Sequence, residues 1–157
     1  MSGHYFHQDL VVAQKIFEAQ SRRHVDVGSR IDGFVAHVAT FRPIEIMDIR
    51  VVKSKVPNIS FLQGDLMKPS DIRSDSLSSL HTIEHFGLGK YGGPIDPQGH
   101  LKGFENLVDM LEKGGTLEIS FPIFHLPCYL QQTTIDVCCT SCPKALFLAL
   151  PKLHIWF

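Results

Sequence analysis

The chain has 157 residues, of which 44% are hydrophobic and 20% are charged, so it can bury a substantial core, which excludes a largely disordered protein. With 15 Lys and Arg residues against 16 Asp and Glu residues, the formal charge is -1, and no large cationic surface for nucleic acid is indicated. No apolar run reaches the roughly 18 residues of a membrane-spanning helix, and the N-terminus has no secretory pattern.

The first predicted elements are a helix, a strand and a second helix. Apolar residues recur at helical intervals over residues 8–20, and the segment HYFHQD before them either covers a ligand pocket as a lid or packs at the helix entry. Residues 24–27 form a short strand that runs into Gly28, and residues 34–39 are helical again. A strand, a glycine turn and a helix in this order begin an α/β unit.

Four more strands are predicted further along the chain. Their residues are 45–49, 59–63, 76–80 and 116–121. Between the last two lie a Gly- and Pro-rich surface loop, residues 87–99, and a helix over residues 101–111 that stops at Gly114 and Gly115. Because parallel strands need crossover connections, the sequence predicts an α/β domain over residues 1–122, with a mostly parallel sheet of about five strands and flanking helices.

Residues 123–157 differ in character and are interpreted as an atypical, disordered or poorly packed tail. All the cysteines lie here, at positions 128, 138, 139 and 142. Their CCxxC cluster suggests metal or redox chemistry, but a structural zinc site normally has two separated ligand pairs. A truncated or mis-spliced sequence would also produce such a tail. The first 127 residues contain no cysteine, which is typical of a reducing compartment, and we expect a cytoplasmic protein.

The residues at the strand ends are the first candidates for a site, because an open parallel sheet binds ligands beyond its carboxyl ends. Gly28 and Gly33 follow the first strand and serve either a ligand-binding turn or an ordinary one. Asp48, about twenty residues further on, is placed to accept ribose hydroxyls, or else to pair with Arg50. Asp65 follows the third strand and either accepts an adenine amine or caps the next turn.

The fourth strand runs into the sequence HTIEH, which has two interpretations. His81, Glu84 and His85 match one form of a zinc-hydrolase motif, but a third metal ligand on a long helix is not evident downstream. Alternatively, His81 or His85 is a general base, or a histidine bonded to loop backbone, and Glu84 orients one of them. We favour the second interpretation and assign no metal to these residues.

Together, these segments resemble the class I S-adenosylmethionine-dependent methyltransferases over roughly residues 22–122. The resemblance rests on HVDVGSRIDGF, EIMDIR, FLQGDLMKP, SLHTIEHFGLG and NLVDMLEKGGTLEISFP, in the order that this family has them. More narrowly, HYFHQDL, DVGSRIDGF and SLSSLHTIEHFGLGKYGGPIDPQGHLKGFENL are similar to an uncharacterised methyltransferase-like family of unknown function. The resemblance implies a Rossmann-like fold, truncated here after its fifth strand.

The resemblance also implies S-adenosylmethionine as cofactor and an unidentified methyl acceptor as partner. The implied cofactor residues are Asp26, Gly28, Ser29 and Gly33 at the methionine part, Asp48 and Ile49 at the ribose, and Asp65 and Leu66 at the adenine. His81, Glu84 and His85 would lie beside the transferred methyl group. Arg30 and Asp32 stand where the family usually has glycines, so a narrowed pocket and a non-catalytic binding module form the alternative hypothesis.

Overall fold

The computed structural model describes residues 3–51, 55–121 and 153–156. The helices are α1 (Gly3–Ala19), α2 (Ala36–Ala39) and α3 (Gly99–Met110), and a π-helical turn, Ile31–Val35, precedes α2. The strands are β1 (His24–Val27), β2 (Ile44–Asp48), β3 (Ile59–Gln63), β4 (Ser74–Leu80), β5 (Leu111–Ser120) and β6 (Leu153–Trp156). Short 3-10 helices cover Ile83–His85 and Lys90–Gly92.

The strands form one parallel sheet in the order β3-β2-β1-β4-β5-β6. The chain moves outward from β1 to β3 and then returns to the other side of β1 with β4, so the strand order reverses between β1 and β4. This reversal is the place where open α/β sheets bind ligands beyond their strand ends. The predicted α/β, Rossmann-like class is therefore confirmed, and β6 extends the sheet beyond the five predicted strands.

Two apolar clusters cover the faces of the sheet. The cluster around α1 and α2 includes Ile16, Val38 and Ile46, whereas the cluster around α3 includes Leu77 and Leu107. Strand residues alternate between faces, and both faces of a parallel sheet are covered, which explains the apolar-rich strand sequences. The two layers hold the strand ends at fixed positions relative to one another.

The amino-terminal edge of the sheet is closed by ion pairs. The Arg23 guanidinium donates to both carboxylate oxygens of Glu45, each at 2.7 Å. The backbone N–H groups of Arg22 and Arg23 donate to the two Asp75 oxygens at 2.8 and 2.9 Å. Arg22 also pairs with Glu112 at the start of β5. Four of the strands are thus tied together at this edge.

A row of buried polar side chains crosses the centre of the sheet between β1 and β4. The register places His24 beside Ser76 and Asp26 beside Ser78. His24 Nδ1 and Nε2 lie 2.8 and 3.2 Å from the hydroxyls of Ser76 and Ser78, and Ser78 donates to Asp26 Oδ1 at 2.5 Å. Burial lowers the pKa of His24 to about 3 and raises the pKa of Asp26 to about 6. Burial thus keeps His24 neutral near pH 7 and makes Asp26 a weaker acid than an exposed aspartate.

The structure corrects the predicted junction between α3 and β5. The helix ends at Met110, and Leu111 already pairs with Ser74 of β4. Gly114 does not cap the helix but lies within β5, with a φ of +87°. The helix thus stops before the two glycines, which lie in an irregular stretch of β5 between the pairs Leu111–Ser74 and Thr116–Ser76.

The described part of the tail is β6, which pairs with β5 and places His154 Nδ1 2.6 Å from Glu118 Oε1. The expected cysteine cluster lies outside the described residues, and the domain boundary after residue 122 stays a prediction. Among the described helices, none has the length and hydropathy required to cross a membrane.

Candidate functional site

A cavity of about 780 Å³ lies at the carboxyl edge of the sheet, beside the reversal in strand order. Segments that follow four neighbouring strands form its wall, and α1 and the 87–99 loop complete it. The predicted site residues on this wall are Gly28, Ser29, Gly33, Asp48, Ile49, Asp65, Leu66, His81 and His85. Asp26 and Glu84 are not on it. The topology thus gathers distant segments of the chain around one space.

Gly28 forms the tight turn between β1 and the cavity. Its φ is +76°, and its N–H donates to the Met47 carbonyl at 2.9 Å, which ties the turn to β2. A Cβ at this position would lie 2.4 Å from Thr82 Cγ2, so the loops after β1 and β4 approach too closely for a side chain. Both the backbone conformation and the close approach therefore require glycine.

Asp26 stabilises this turn through hydrogen bonds to Ser29 and does not line the cavity. Its side chain is fully buried, with a relative exposure of 0%. Its carboxylate accepts the Ser29 N–H and the Ser29 hydroxyl, each at 3.0 Å. Burial is the largest cause of its raised pKa, and the hydrogen bonds from Ser78 and Ser29 oppose it. Asp26 thus fixes the backbone next to Gly28 and has no open path to a ligand in the cavity.

Asp48 lies on the cavity wall at the end of β2 and is bound by Arg50. The Arg50 N–H and Nε donate to Asp48 Oδ1 at 2.8 and 2.9 Å, and Nη2 donates to Oδ2 at 2.7 Å. Burial alone raises the pKa of Asp48, but the hydrogen bonds and charge of Arg50 together lower it below its usual value. The alternative pairing expected from the sequence is therefore present, and Asp48 is held as a carboxylate.

Asp65 and Leu66 form the next part of the wall, after β3. Asp65 Oδ1 accepts the Met67 N–H at 3.0 Å, and Oδ2 lies 3.6 Å from Lys68 Nζ. Asp65 therefore caps its turn while one face of it borders the cavity. Leu66 is buried and supplies an apolar surface beside it. The two interpretations of Asp65 from the sequence are compatible in the folded chain.

His81 occupies a left-handed backbone conformation at the end of β4, with a φ of +51°. Such conformations are uncommon for residues other than glycine and concentrate at functional sites. Its Nε2 lies 3.0 Å from Gln8 Oε1, and the Tyr5 ring packs edge-on at a centroid distance of 4.9 Å. The Glu84 carboxylate, whose pKa is raised by burial, lies 3.9 Å from Nδ1. Residues of α1 and Glu84 thus hold the imidazole from two sides.

His85 lies on the cavity wall and interacts with the loop that follows it. Lys90 Nζ donates to His85 Nδ1 at 3.3 Å. Burial lowers the pKa of His85, and the charge of Lys90 lowers it further, so the imidazole is neutral near pH 7. His81 and His85 lie on a strand end and a 3-10 helix, not on one face of an α-helix. In the described part of the chain, no group of three His, Cys, Asp or Glu side chains is arranged to hold a metal.

Arg30 and Asp32, which stand where the methyltransferase motif usually has glycines, do not fill the cavity. Arg30 and Asp32 form an ion pair at 2.6 Å, and their side chains are 85% and 66% exposed. Both residues line the cavity, and most of each side chain is exposed to solvent. The narrowed pocket expected from these side chains stays a prediction.

Two wall residues come from α1 and lie in the segment HYFHQD, for which a lid over the pocket was one of the two expectations. Tyr5 and Asp9 both line the cavity. Their spacing of four residues places them on the same face of a helix, which is the signal that could have identified them as a pair.

No curated protein matches this chain. Among solved structures, an O-methyltransferase family protein from Burkholderia thailandensis is similar, with 14% identity and a TM-score of 0.52 over 71% of this chain and 36% of that one. A structure of PigF with SAH has 11% identity and a TM-score of 0.44 over 96% of this chain and 55% of its own. The chain thus spans only about a third of the first protein, and that likeness shows a methyltransferase-like fold.

A family model described as Caenorhabditis protein of unknown function, DUF268, matches residues 38–135, which is more than half of the chain. The chain belongs to the DUF268 family.

Proposed function

We propose that this protein binds S-adenosylmethionine in the cavity and transfers its methyl group to an acceptor that is still unidentified. The observation that carries the proposal is the convergence of Gly28, Asp48, Asp65 and His81 on one cavity of about 780 Å³. This volume lies within the range of small-molecule sites. The methyltransferase-like fold supports the same function. We further propose that residues 1–122 form the functional domain and that it works in the cytoplasm.

The wall residues fit the parts of this ligand. In the proposal, the turn formed by Gly28, Ser29 and Gly33 faces the methionine part, and Asp65 with Leu66 faces the adenine. Asp48 and Ile49 face the ribose. A carboxylate has about four lone-pair positions, and Arg50 occupies three of those of Asp48. Asp48 therefore accepts one ribose hydroxyl through Oδ2 without displacing Arg50.

The chemistry demands positioning more than acid or base strength. When bound, S-adenosylmethionine supplies a methyl group on a cationic sulfur, and the electron pair of the broken C–S bond stays on that sulfur while an acceptor lone pair forms the new bond. Neutral His85 is suited to take the proton that the acceptor loses. His81, held by Gln8 and Glu84, orients the acceptor, and Glu84 acts through His81.

A second candidate is a binding module without turnover. The observation that favours it is that both ring nitrogens of His81 already face groups of the chain, Nε2 with Gln8 Oε1 at 3.0 Å and Nδ1 with Glu84 Oε1 at 3.9 Å. Under this alternative, the cavity binds an adenosine-like molecule and no methyl transfer follows. Measuring binding and turnover separately distinguishes the two candidates.

The proposal is tested by calorimetric titration of the full chain with S-adenosylmethionine. We expect saturable binding that weakens by about tenfold or more in Asp48→Ala, since a hydrogen bond to a charged group is worth about 1.5–3 kcal/mol. Asp109→Ala serves as the control, because Asp109 is exposed on α3 and is not on the cavity wall. Thermal unfolding of both variants separates lost binding from lost folding.

Absence of binding at millimolar S-adenosylmethionine would contradict the proposed function. Binding that is equally strong in Asp48→Ala would contradict the assignment of the ribose position. If binding is confirmed, incubation with labelled S-adenosylmethionine and fractionated small-molecule and protein acceptors tests turnover. Tight binding with no labelled product in any fraction favours the binding module.

A further inference from the structure

Four carboxylates line the cavity, and one of them differs from the others in its surroundings. Three have a Lys or Arg partner: Asp32 with Arg30, Asp48 with Arg50, and Asp65 with Lys68. The fourth is Asp9 of α1, and no Lys or Arg within the described ranges forms an ion pair with it. A carboxylate on a cavity wall without such a partner is a candidate for binding a cation from the ligand.

Asp9 is held at the turn that follows β1. The Phe34 N–H donates to its carboxylate, and Oδ2 lies against Gly33, where a Cβ would come within 2.9 Å of it. Burial is the largest cause of its raised pKa, whereas the positive field of His37 and the Phe34 hydrogen bond lower it. Asp9 is thus fixed at the part of the cavity next to the glycine turn.

The neighbouring carboxylate, Asp26, cannot take this role. Asp26 is fully buried, and its oxygens are used by Ser29 and Ser78. Asp9 and Asp26 are close enough that the charge of Asp9 raises the pKa of Asp26. Two carboxylates therefore add their negative potentials at the turn, and only Asp9 borders the open space. A cation bound at Asp9 would relieve this repulsion.

We infer that Asp9 accepts a hydrogen bond from the ammonium group of the amino-acid part of the ligand. This inference rests on the proposed function, which orients the methionine part toward the turn at Gly28 and Gly33. The ammonium group has three N–H donors, whereas a sulfonium has none and gains only from the electrostatic potential. The helix that precedes the first strand therefore supplies a residue that selects for the amino-acid end of the ligand.

The test compares two ligands that differ only in the ammonium group, S-adenosylhomocysteine and its deamino analogue. Calorimetry is performed on the full chain, on Asp9→Asn and on Glu18→Gln. Asn keeps the size of Asp9 and removes its charge. Glu18 lies on the same helix, is exposed and is not on the cavity wall, so it controls for a change in the charge of α1.

We expect Asp9→Asn to bind S-adenosylhomocysteine about tenfold or more weakly, because the lost hydrogen bond joins two charged groups. Its affinity for the deamino analogue should change by less than about twofold, and Glu18→Gln should bind both ligands like the unchanged protein. An equal loss for both ligands would show that Asp9 acts on the fold of the wall, and no loss for either would also overturn the inference.

The outcome for the unchanged protein separates this inference from the proposed function. Suppose that the unchanged protein binds S-adenosylhomocysteine and that the ratio of its affinities for the two ligands is the same in Asp9→Asn. Only the role of Asp9 is then wrong. If the unchanged protein binds neither ligand at millimolar concentration, the proposed function fails and the inference fails with it.

Discussion

The two edges of the parallel sheet use charged residues in opposite ways. At the amino-terminal edge, Arg23 donates to both oxygens of Glu45, and Asp75 accepts two backbone N–H groups. At the carboxyl edge, Asp9 and Asp65 border a cavity of about 780 Å³ beside glycine turns. The first edge uses its polar groups within the chain, whereas the second places carboxylates on a cavity wall, and one of these, Asp9, has no Lys or Arg partner in the described ranges.

This contrast separates residues that contribute mainly to stability from residues that border the cavity. Polar groups that pair with each other contribute modestly to folding and have little left to offer a ligand. Polar groups on a cavity wall keep lone pairs for another molecule. The buried row from His24 to Asp26 connects the two edges, so its variants probe both.

The largest effect on stability is expected at His24, which lies near the amino-terminal edge of the sheet. Its pKa is about 6.5 in the unfolded chain and about 3 when folded, so the unfolded state binds the proton first and stability is lost as pH falls below about 6.5. This contribution amounts to about 3 kcal/mol by pH 4. We expect His24→Gln, which keeps polar contact with the two serines, to gain about that much relative to the unchanged protein between pH 7 and pH 4.

Urea unfolding at both pH values measures this effect. Asp26 works in the opposite direction, since its folded pKa of about 6 exceeds the unfolded value of 3.8, and its contribution to stability is lost as pH rises through that interval. The comparison of the two variants His24→Gln and Asp26→Asn should therefore give pH dependences of opposite sign. If the pH dependence of stability changed with the same sign in both variants, His24 and Asp26 would not titrate as described.

A smaller effect on stability is expected at Gly28, which lies at the carboxyl edge of the sheet. Gly28→Ala should cost about 2 kcal/mol or more, because the added Cβ meets Thr82 Cγ2 and the φ of +76° is strained for alanine. In the double variant with Thr82→Ser, the methyl is removed, and only the cost of the left-handed conformation remains, about 1 kcal/mol. Thermal unfolding of the single and double variants separates the two causes. Equal destabilisation with and without Thr82→Ser would exclude the steric contact.

The smallest effect on stability is expected from Glu45→Gln, at the amino-terminal edge of the sheet. Removing one partner of an ion pair that is partly exposed should lower the free energy of unfolding by about 1 kcal/mol. The affinity for S-adenosylmethionine should stay unchanged, because Glu45 is not on the cavity wall. Calorimetry and urea unfolding of the same sample test both statements, and a weaker affinity would break the distinction between the two edges.

Much of the fold could be predicted because local signals agree with the tertiary contacts. Strands β1 and β3 begin and end as predicted, since Gly28 and Gly64 limit them at their carboxyl ends. The start of β5 could not be predicted, because Glu112 to Gly115 has no strand pattern and forms an irregular stretch between the pairs Leu111–Ser74 and Thr116–Ser76. Strand β6 was missed for the same reason, since its partner β5 lies far away in the sequence.

The candidate site was predictable to the extent that topology alone determines it. Parallel strands bring their carboxyl ends to one edge, so Asp48 and Asp65 could be grouped without any structure. The burial of Asp26 depends on Ser78, a partner 52 residues away, which no spacing rule supplies. Asp9 ends the segment HYFHQD that was considered as a lid, but it was given no role of its own because it belongs to no strand-end pattern.

The position of β6 has a consequence for synthesis of the chain. Its residues, Leu153–Trp156, pair with β5, whose last residue is Ser120, so β5 cannot pair with β6 until the segment that separates the two strands has left the ribosome. An uncovered parallel edge presents backbone groups that recruit other strands. The nascent protein therefore passes through an interval in which the residues that line the cavity have already been made while β6 has not yet paired with β5.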